Sequence, residues 1–198
     1  MKLSRMILKP ICHFIAIVLF RLKKVGEENV PKEGGYILCG NHIHALDGPA
    51  VVASMKRKVR FMVKKELFKN KFLKWFMQDV FEAFPVDRGK RDIESIKTSL
   101  KIIKDGDILG IFPEGTRNGL KKNTGIKNGA AYLALRTGAK VIPVGIQGNF
   151  KPFTKVTLNF GKPLDFSEYC SKTPEKEDLE KVSEIIMNNI IQLTNEKV

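Results

Sequence analysis

Residues 34–49 read Gly34-Gly35-Tyr36-Ile37-Leu38-Cys39-Gly40-Asn41-His42-Ile43-His44-Ala45-Leu46-Asp47-Gly48-Pro49. Two glycines precede a short apolar run, Tyr36 to Cys39, which reads as a buried strand. A polar turn follows, then Gly48-Pro49 and the small apolar residues of a short helix. The same alternation recurs along the chain. Strand-like runs lie at Val59 to Val63, Phe81 to Val86, Ile108 to Phe112 and Val141 to Ile146. Ile93, Ile96, Leu100 and Ile103 repeat at helical spacing, as do Leu179, Val182, Ile186, Ile190 and Leu193. This pattern predicts a single α/β domain with a central, largely parallel sheet flanked by helices. The 198 residues, 43% apolar, suffice for one such core, and neither repeats nor a long Pro/Gly/Ser linker divides them.

In open α/β sheets reactive groups gather beyond the carboxyl ends of strands, where Asn41 to Asp47 falls. On one continuous helix, a five-residue offset would turn His42 and Asp47 to different faces, since each residue advances about 100°. They meet only if His42 lies in the turn and Asp47 opens the helix. The carboxylate then accepts from one imidazole nitrogen, and the other can take a proton from a hydroxyl. Asp47 also suits the start of a helix on capping grounds alone, a role compatible with the first. His44 is an alternative base, less directly placed after the strand.

Two further strand ends carry polar residues. Phe112-Pro113-Glu114-Gly115-Thr116-Arg117 offers a glycine for close backbone approach, a hydroxyl, and a planar guanidinium suited to phosphate. Phe84-Pro85-Val86-Asp87-Arg88-Gly89 ends in another arginine. Taken singly, each hexapeptide is also consistent with a plain surface turn.

Thirty-five Lys and Arg against 21 acidic residues give a formal charge of +14. Such a surface attracts phosphate-bearing partners without choosing among nucleic acid, anionic lipid and phosphorylated substrate. Cys12, Cys39 and Cys170 are odd in number and widely spaced, which argues against a zinc site or disulfide framework and suits a reducing, cytosol-facing compartment. The apolar run Ile11 to Phe20, flanked by Arg5 and by Arg21, Lys23 and Lys24, is too short to span a bilayer and lacks a signal-peptidase pattern. It suits an interfacial helix at an anionic membrane surface, or a helix packed on the domain's own core. Lys64 to Phe81 mixes five lysines with seven large apolar residues, from Leu67 to Met77, and admits the same two readings.

Together the blocks resemble the 1-acyl-glycerol-3-phosphate acyltransferase, or PlsC-like glycerolipid acyltransferase, family over roughly residues 20–165. Asn41-His42 with Asp47 looks like its NHxxxxD block, Phe84 to Gly89 like its second, Phe112 to Arg117 matches FPEGTR letter for letter, and Val141-Ile142-Pro143-Val144 looks like the fourth. With the basic and apolar pattern of residues 1–24 read as an N-terminal membrane-associating segment, the acyltransferase domain is expected over residues 25–198. The resemblance implies acyl transfer from coenzyme A or acyl carrier protein to the sn-2 hydroxyl of lysophosphatidic acid, giving phosphatidic acid at the cytoplasmic face of the cell membrane. His42 would be the base and Asp47 its partner, while Arg88, Glu114, Gly115, Thr116, Arg117 and Lys127 would hold the acceptor. No metal, cofactor or nucleic acid is expected, and the reaction needs no nucleophilic serine or cysteine. His44 departs from the family pattern, in which many members carry a small hydroxyl residue. Two rivals remain: a basic membrane- or nucleic-acid-binding module, and a metal-assisted hydrolase using His42, His44 and Asp47.

Overall fold

In the computed structural model, residues 3–87, 92–119, 125–171 and 173–195 are described. The strands are β1 (Lys23–Val25), β2 (Tyr36–Gly40), β3 (Val59–Lys64), β4 (Phe84–Val86), β5 (Ile108–Ile111), β6 (Val141–Gln147) and β7 (Thr157–Phe160). They form one sheet in the order β1-β7-β6-β2-β5-β3-β4. The five strands from β6 to β4 run parallel; β7 is antiparallel to β6, and β1 pairs parallel with β7. The expected central and largely parallel sheet is present, with β2 at its centre. Cys39 faces Ile111 across one edge of β2 and Pro143 across the other.

Alternation along the strands sends side chains to two apolar layers. Ile37, Cys39, Leu109 and Ile111 join one layer, covered by α4 (Ile93–Lys104), α5 (Gly129–Thr137) and α6 (Lys176–Asn195). Leu38, Val59, Phe61 and Ile108 join the other. That face carries α2 (Asp47–Ser54), α1 (Leu3–Phe20) and a short helix α3 (Lys71–Trp75), which runs on into a π turn, Phe76–Val80. The helix of residues 93–103 and that of 179–193 stand where their periodicity predicted, and the central parallel strands β2, β5 and β6 are buried on both faces.

Two strands escaped the sequence reading. β1 is three residues, two of them lysines, at an edge of the sheet. β7 contains Thr157 and Asn159, polar residues that are nonetheless buried, with the Asn159 amide donating to the Leu193 carbonyl. Neither shows the apolar run by which the other strands were found. The run Phe81 to Val86 is also shorter as a strand, because Val80 ends the π turn and only Phe84–Val86 pairs with β3.

α1 is longer than its apolar run and reaches back to Leu3. Ala16 is buried, and Leu8, Cys12 and Phe20 pack on the α2 side of the core, whereas Met6, Ile7, Ile11, Phe14, Ile15, Ile17 and Val18 are exposed. No described helix is long and apolar enough to cross a membrane.

Gly110 in β5 is a packing requirement. A Cβ there would lie 2.5 Å from the Phe61 ring, which crosses the strand at that point. Gly110→Ala is expected to cost about 1–3 kcal/mol in chemical denaturation, the range for overpacking a close-packed core. A loss below about 0.5 kcal/mol would mean that the ring swings aside freely.

Candidate active site

The turn after β2 is held at both shoulders. Asn41, buried, donates from its side-chain amide to the Ile146 carbonyl at 2.9 Å and accepts from the Ile146 N–H at 2.6 Å. Its side chain thereby pairs with β6 as another peptide unit would, while its own backbone turns away. On the opposite side the His42 N–H donates to Glu114 Oε1 at 2.7 Å, and the Asn118 N–H donates to the His42 carbonyl at 2.6 Å. This clamp exists because β2 and β5 are neighbours in register, which sets the loops following Cys39 and Ile111 side by side.

Asp47 opens α2 and is wholly buried. One oxygen, Oδ2, accepts from the backbone N–H of Ile43 at 2.7 Å and of His44 at 2.8 Å, and pairs with His42 Nδ1 at 2.7 Å. A carboxylate only accepts, so with Asp47 ionised and the imidazole neutral the proton is assigned to Nδ1, which leaves Nε2 as the lone-pair nitrogen. The His42 ring lies flat on Phe112, centroids 4.3 Å apart and planes 9° apart, and Phe112 stacks in turn on Phe61 at 5.0 Å. Hydrogen bond and stack together restrict the ring to one orientation. His44 is directed elsewhere: its Nδ1 accepts from the Leu46 N–H at 3.3 Å, and its ring stacks on Phe150.

His42 lines a cleft of about 420 Å³. Its walls are mainly apolar, from Val52 of α2, Phe61 of β3, Met77 of the π turn and Phe81. Thr116 and Arg117 line the same cleft, which is within the size range of small-molecule sites. Glu114 does not: it is buried behind the turn. Gly115 has φ +65°, and a Cβ there would meet Lys127 Cγ at 3.2 Å, so Lys127 lies over the glycine. Lys127 is further tied to this loop by its N–H, which donates to the Pro113 carbonyl at 2.9 Å. Arg88 lies outside the described residues. The backbone before it is pinned, with the Asp87 N–H donating to Asp92 Oδ2 at 2.7 Å; that bond and one from the Ser95 N–H hold the Asp92 carboxyl below its usual range.

The residues that sequence reasoning did not single out are Asn41, Phe61 and, as a ring support, Phe112. Asn41 and Phe112 stand inside the quoted blocks. Phe61 carries no signal beyond being apolar in a strand, since its stacking role depends on Gly110 across the sheet.

Residues 21–147 match the model of a family described as Acyltransferase. The chain is 34% identical over 181 residues to the 1-acyl-sn-glycerol-3-phosphate acyltransferase of Bacillus subtilis (strain 168), with 88% of each chain covered. It is 28% identical over 191 residues to the protein of the same name from Borreliella burgdorferi, covering 94% of this chain and 74% of that one. A crystal structure of the 1-acyl-sn-glycerophosphate (LPA) acyltransferase, PlsC, from Thermotoga maritima shares the fold with a TM-score of 0.68 at 22% identity, over 98% of this chain and 83% of that chain.

The buried position of Glu114 gives a test of its contribution. Glu114→Gln keeps an oxygen for the His42 N–H, whereas Glu114→Ala leaves that buried donor without an acceptor. Urea unfolding is expected to show a loss of about 1–3 kcal/mol for the alanine variant and under about 1 kcal/mol for glutamine. Equal losses would place the importance of Glu114 in its charge.

Proposed function

The chain belongs to the acyltransferase family, and from that premise we propose that it transfers a fatty acyl group to the sn-2 hydroxyl of 1-acyl-sn-glycerol-3-phosphate, giving phosphatidic acid. The donor is a thioester of coenzyme A or acyl carrier protein, and the reaction takes place at an anionic membrane surface on the cytoplasmic face. His42 is the general base. Its Nε2 removes the hydroxyl proton as the oxygen attacks the thioester carbonyl, and the imidazolium returns a proton to the departing thiolate. Asp47 fixes the tautomer and stabilises the transient imidazolium. The observation that carries this reading is the 2.7 Å contact between His42 Nδ1 and the buried Asp47 carboxylate, at the edge of an apolar cleft.

The acceptor's phosphate meets Arg117 at the cleft and Lys127 over Gly115; Arg88, outside the described residues, is assigned to the same acceptor on its sequence block alone. Arg117 contributes a bidentate fork and Lys127 a point charge. Thr116 supplies a hydroxyl in the same loop. Glu114 serves the acceptor indirectly, by holding the backbone of His42. The acyl chain occupies the apolar wall of Val52, Phe61, Met77 and Phe81. No serine or cysteine lines the cleft among the described residues, and burial pushes the Cys39 thiol up, away from the reactive thiolate. Transfer is therefore direct, within a ternary complex rather than through an acyl-enzyme.

Purified protein, given lysophosphatidic acid with an acyl-coenzyme A and separately an acyl carrier protein donor, is expected to form phosphatidic acid. His42→Ala is expected to lose about 10²–10⁴-fold in kcat, the usual worth of a general base. Asp47→Asn, which disturbs the tautomer, is expected to fall by up to about 10⁴-fold. Full activity in His42→Ala would sink the assignment. Acylation of a different lysophospholipid in preference to lysophosphatidic acid would keep the mechanism and replace the acceptor.

A further inference from the structure

The exposed large apolar side chains of the described residues are unevenly distributed. Apart from Ile93 and Ile126, all lie on three segments: α1, residues 67–75, and Phe153. These segments adjoin. α1 packs against α2 and against the π turn that continues α3, and the Phe153 N–H donates to the Leu19 carbonyl at 2.6 Å. Phe153 has φ +63°, an unusual backbone state for a bulky residue, and its ring is 70% exposed.

Within this patch residues 65–77 have a second property. Phe72 is 71% exposed and Trp75 39% exposed. Their rings lie 5.8 Å apart, each approaches Phe76, and Phe76 meets Phe81 edge-on at 4.9 Å. Phe81 is a wall of the cleft that holds His42, and Leu67, itself 43% exposed, lines the same cleft. A continuous apolar path thus leads from the outside of α3 to the candidate active site. Lys64, Lys65, Lys69, Lys71 and Lys74 surround it, all exposed, and Glu66 is the one acidic residue among residues 64–75.

We propose that residues 65–77 form a docking rim that enters the headgroup region of an anionic phospholipid bilayer, so that lipid-borne substrate passes from the membrane into the cleft beside Leu67. The rim deepens the acyl-transfer reading, on which it rests, by assigning the surface through which that site is supplied. Its chemistry is two-part. Phe72 and Trp75 are rings of the kind that settle at the membrane boundary, and lysines nearby gain about 1 kcal/mol each from an anionic leaflet. An acidic carrier protein would meet the lysines but would leave the exposed Phe72 and Trp75 rings in water, whereas a bilayer accommodates both the rings and the charges and supplies a ligand that must travel into the cleft.

Trp75 is the only tryptophan of the chain, so the full-length protein carries its own probe. Its emission is expected to shift to shorter wavelength, and to become shielded from acrylamide, with vesicles of phosphatidylglycerol and phosphatidylcholine but not of phosphatidylcholine alone. Unchanged emission overturns the proposal. The kinetic arm uses Phe72→Ser/Trp75→Ser with two acceptors: long-chain lysophosphatidic acid in those vesicles, and a short-chain, monomerically soluble analogue. KM for the vesicle-borne acceptor is expected to rise about tenfold, with turnover of the soluble one within about twofold of wild type. Equal loss on both acceptors assigns the rings to the cleft's architecture and overturns the docking role; no loss on either overturns it as well. If wild-type protein acylates neither acceptor, the acyl-transfer reading fails separately. Co-sedimentation with the anionic vesicles then judges the rim, and equal binding of wild type and double variant overturns it.

Discussion

A single carboxylate oxygen organises the turn after β2. Asp47 is wholly buried, and its Oδ2 takes the backbone N–H groups of Ile43 and His44 together with the His42 ring. Burying a carboxylate is costly unless donors replace its water; here two backbone donors and an imidazole do so at Oδ2, while the buried Oδ1 has no hydrogen-bond partner among the described residues. The same bonds force the chain to curl around the start of α2, which brings His42 and Asp47 together over five residues. The start of α2 and the orientation of the His42 ring therefore depend on the same carboxylate.

That curl would be of little use if it could rock, and the neighbouring strands prevent this. Asn41 bolts it to β6 with two hydrogen bonds, and Glu114 bolts it to the loop after β5. All three supports come from buried polar side chains satisfied by backbone, the arrangement in which a polar network stiffens a site rather than weakening it. Stacking of His42 on Phe112 and Phe61 adds an apolar stop on the remaining side. The imidazole is held in one orientation by the fold itself, so in the proposed reaction the orientation cost of the base would already have been met during folding.

How much of this was legible depended on whether the information was local. The parallel strands of the centre are apolar on both faces and were visible as runs; the helix pairing of Ile93 to Ile103 was visible as a period. The turn of His42 and Asp47 was legible because a five-residue offset permits only one way for them to meet. β1 and β7 were not, since a lysine-rich edge and a strand with buried Thr157 and Asn159 owe their conformation to neighbours distant in sequence. Glu114 shows the same limit inside a motif. Its letter was read as a group for the acceptor, yet its carboxylate sits behind the turn, and only the β2–β5 pairing reveals what it touches.

The two faces of the sheet carry unequal obligations. Helices α4, α5 and α6 cover one face; their apolar residues are largely inward, and Ile93 is the main exception. The other face is covered by α1, α2 and the α3 turn, and it is there that apolar side chains point outward in number. Exposed rings and aliphatics on a structure otherwise able to bury them indicate a surface that is not fully served by water. The cleft opens on this same side, walled by α2 and the π turn, so one layer of the fold both walls the apolar cleft and carries the exposed apolar side chains. For the proposed lipid acceptor, passage from bilayer to cleft through water would expose its chain on the way, a kinetic barrier of about 0.8 kcal/mol per CH2 exposed. Joining the cleft wall to the exposed rings removes that step through water. The turn of His42 and Asp47, fixed from the carboxyl edge of the sheet, can then remain rigid while the adaptable contacts are confined to the helical layer at its side.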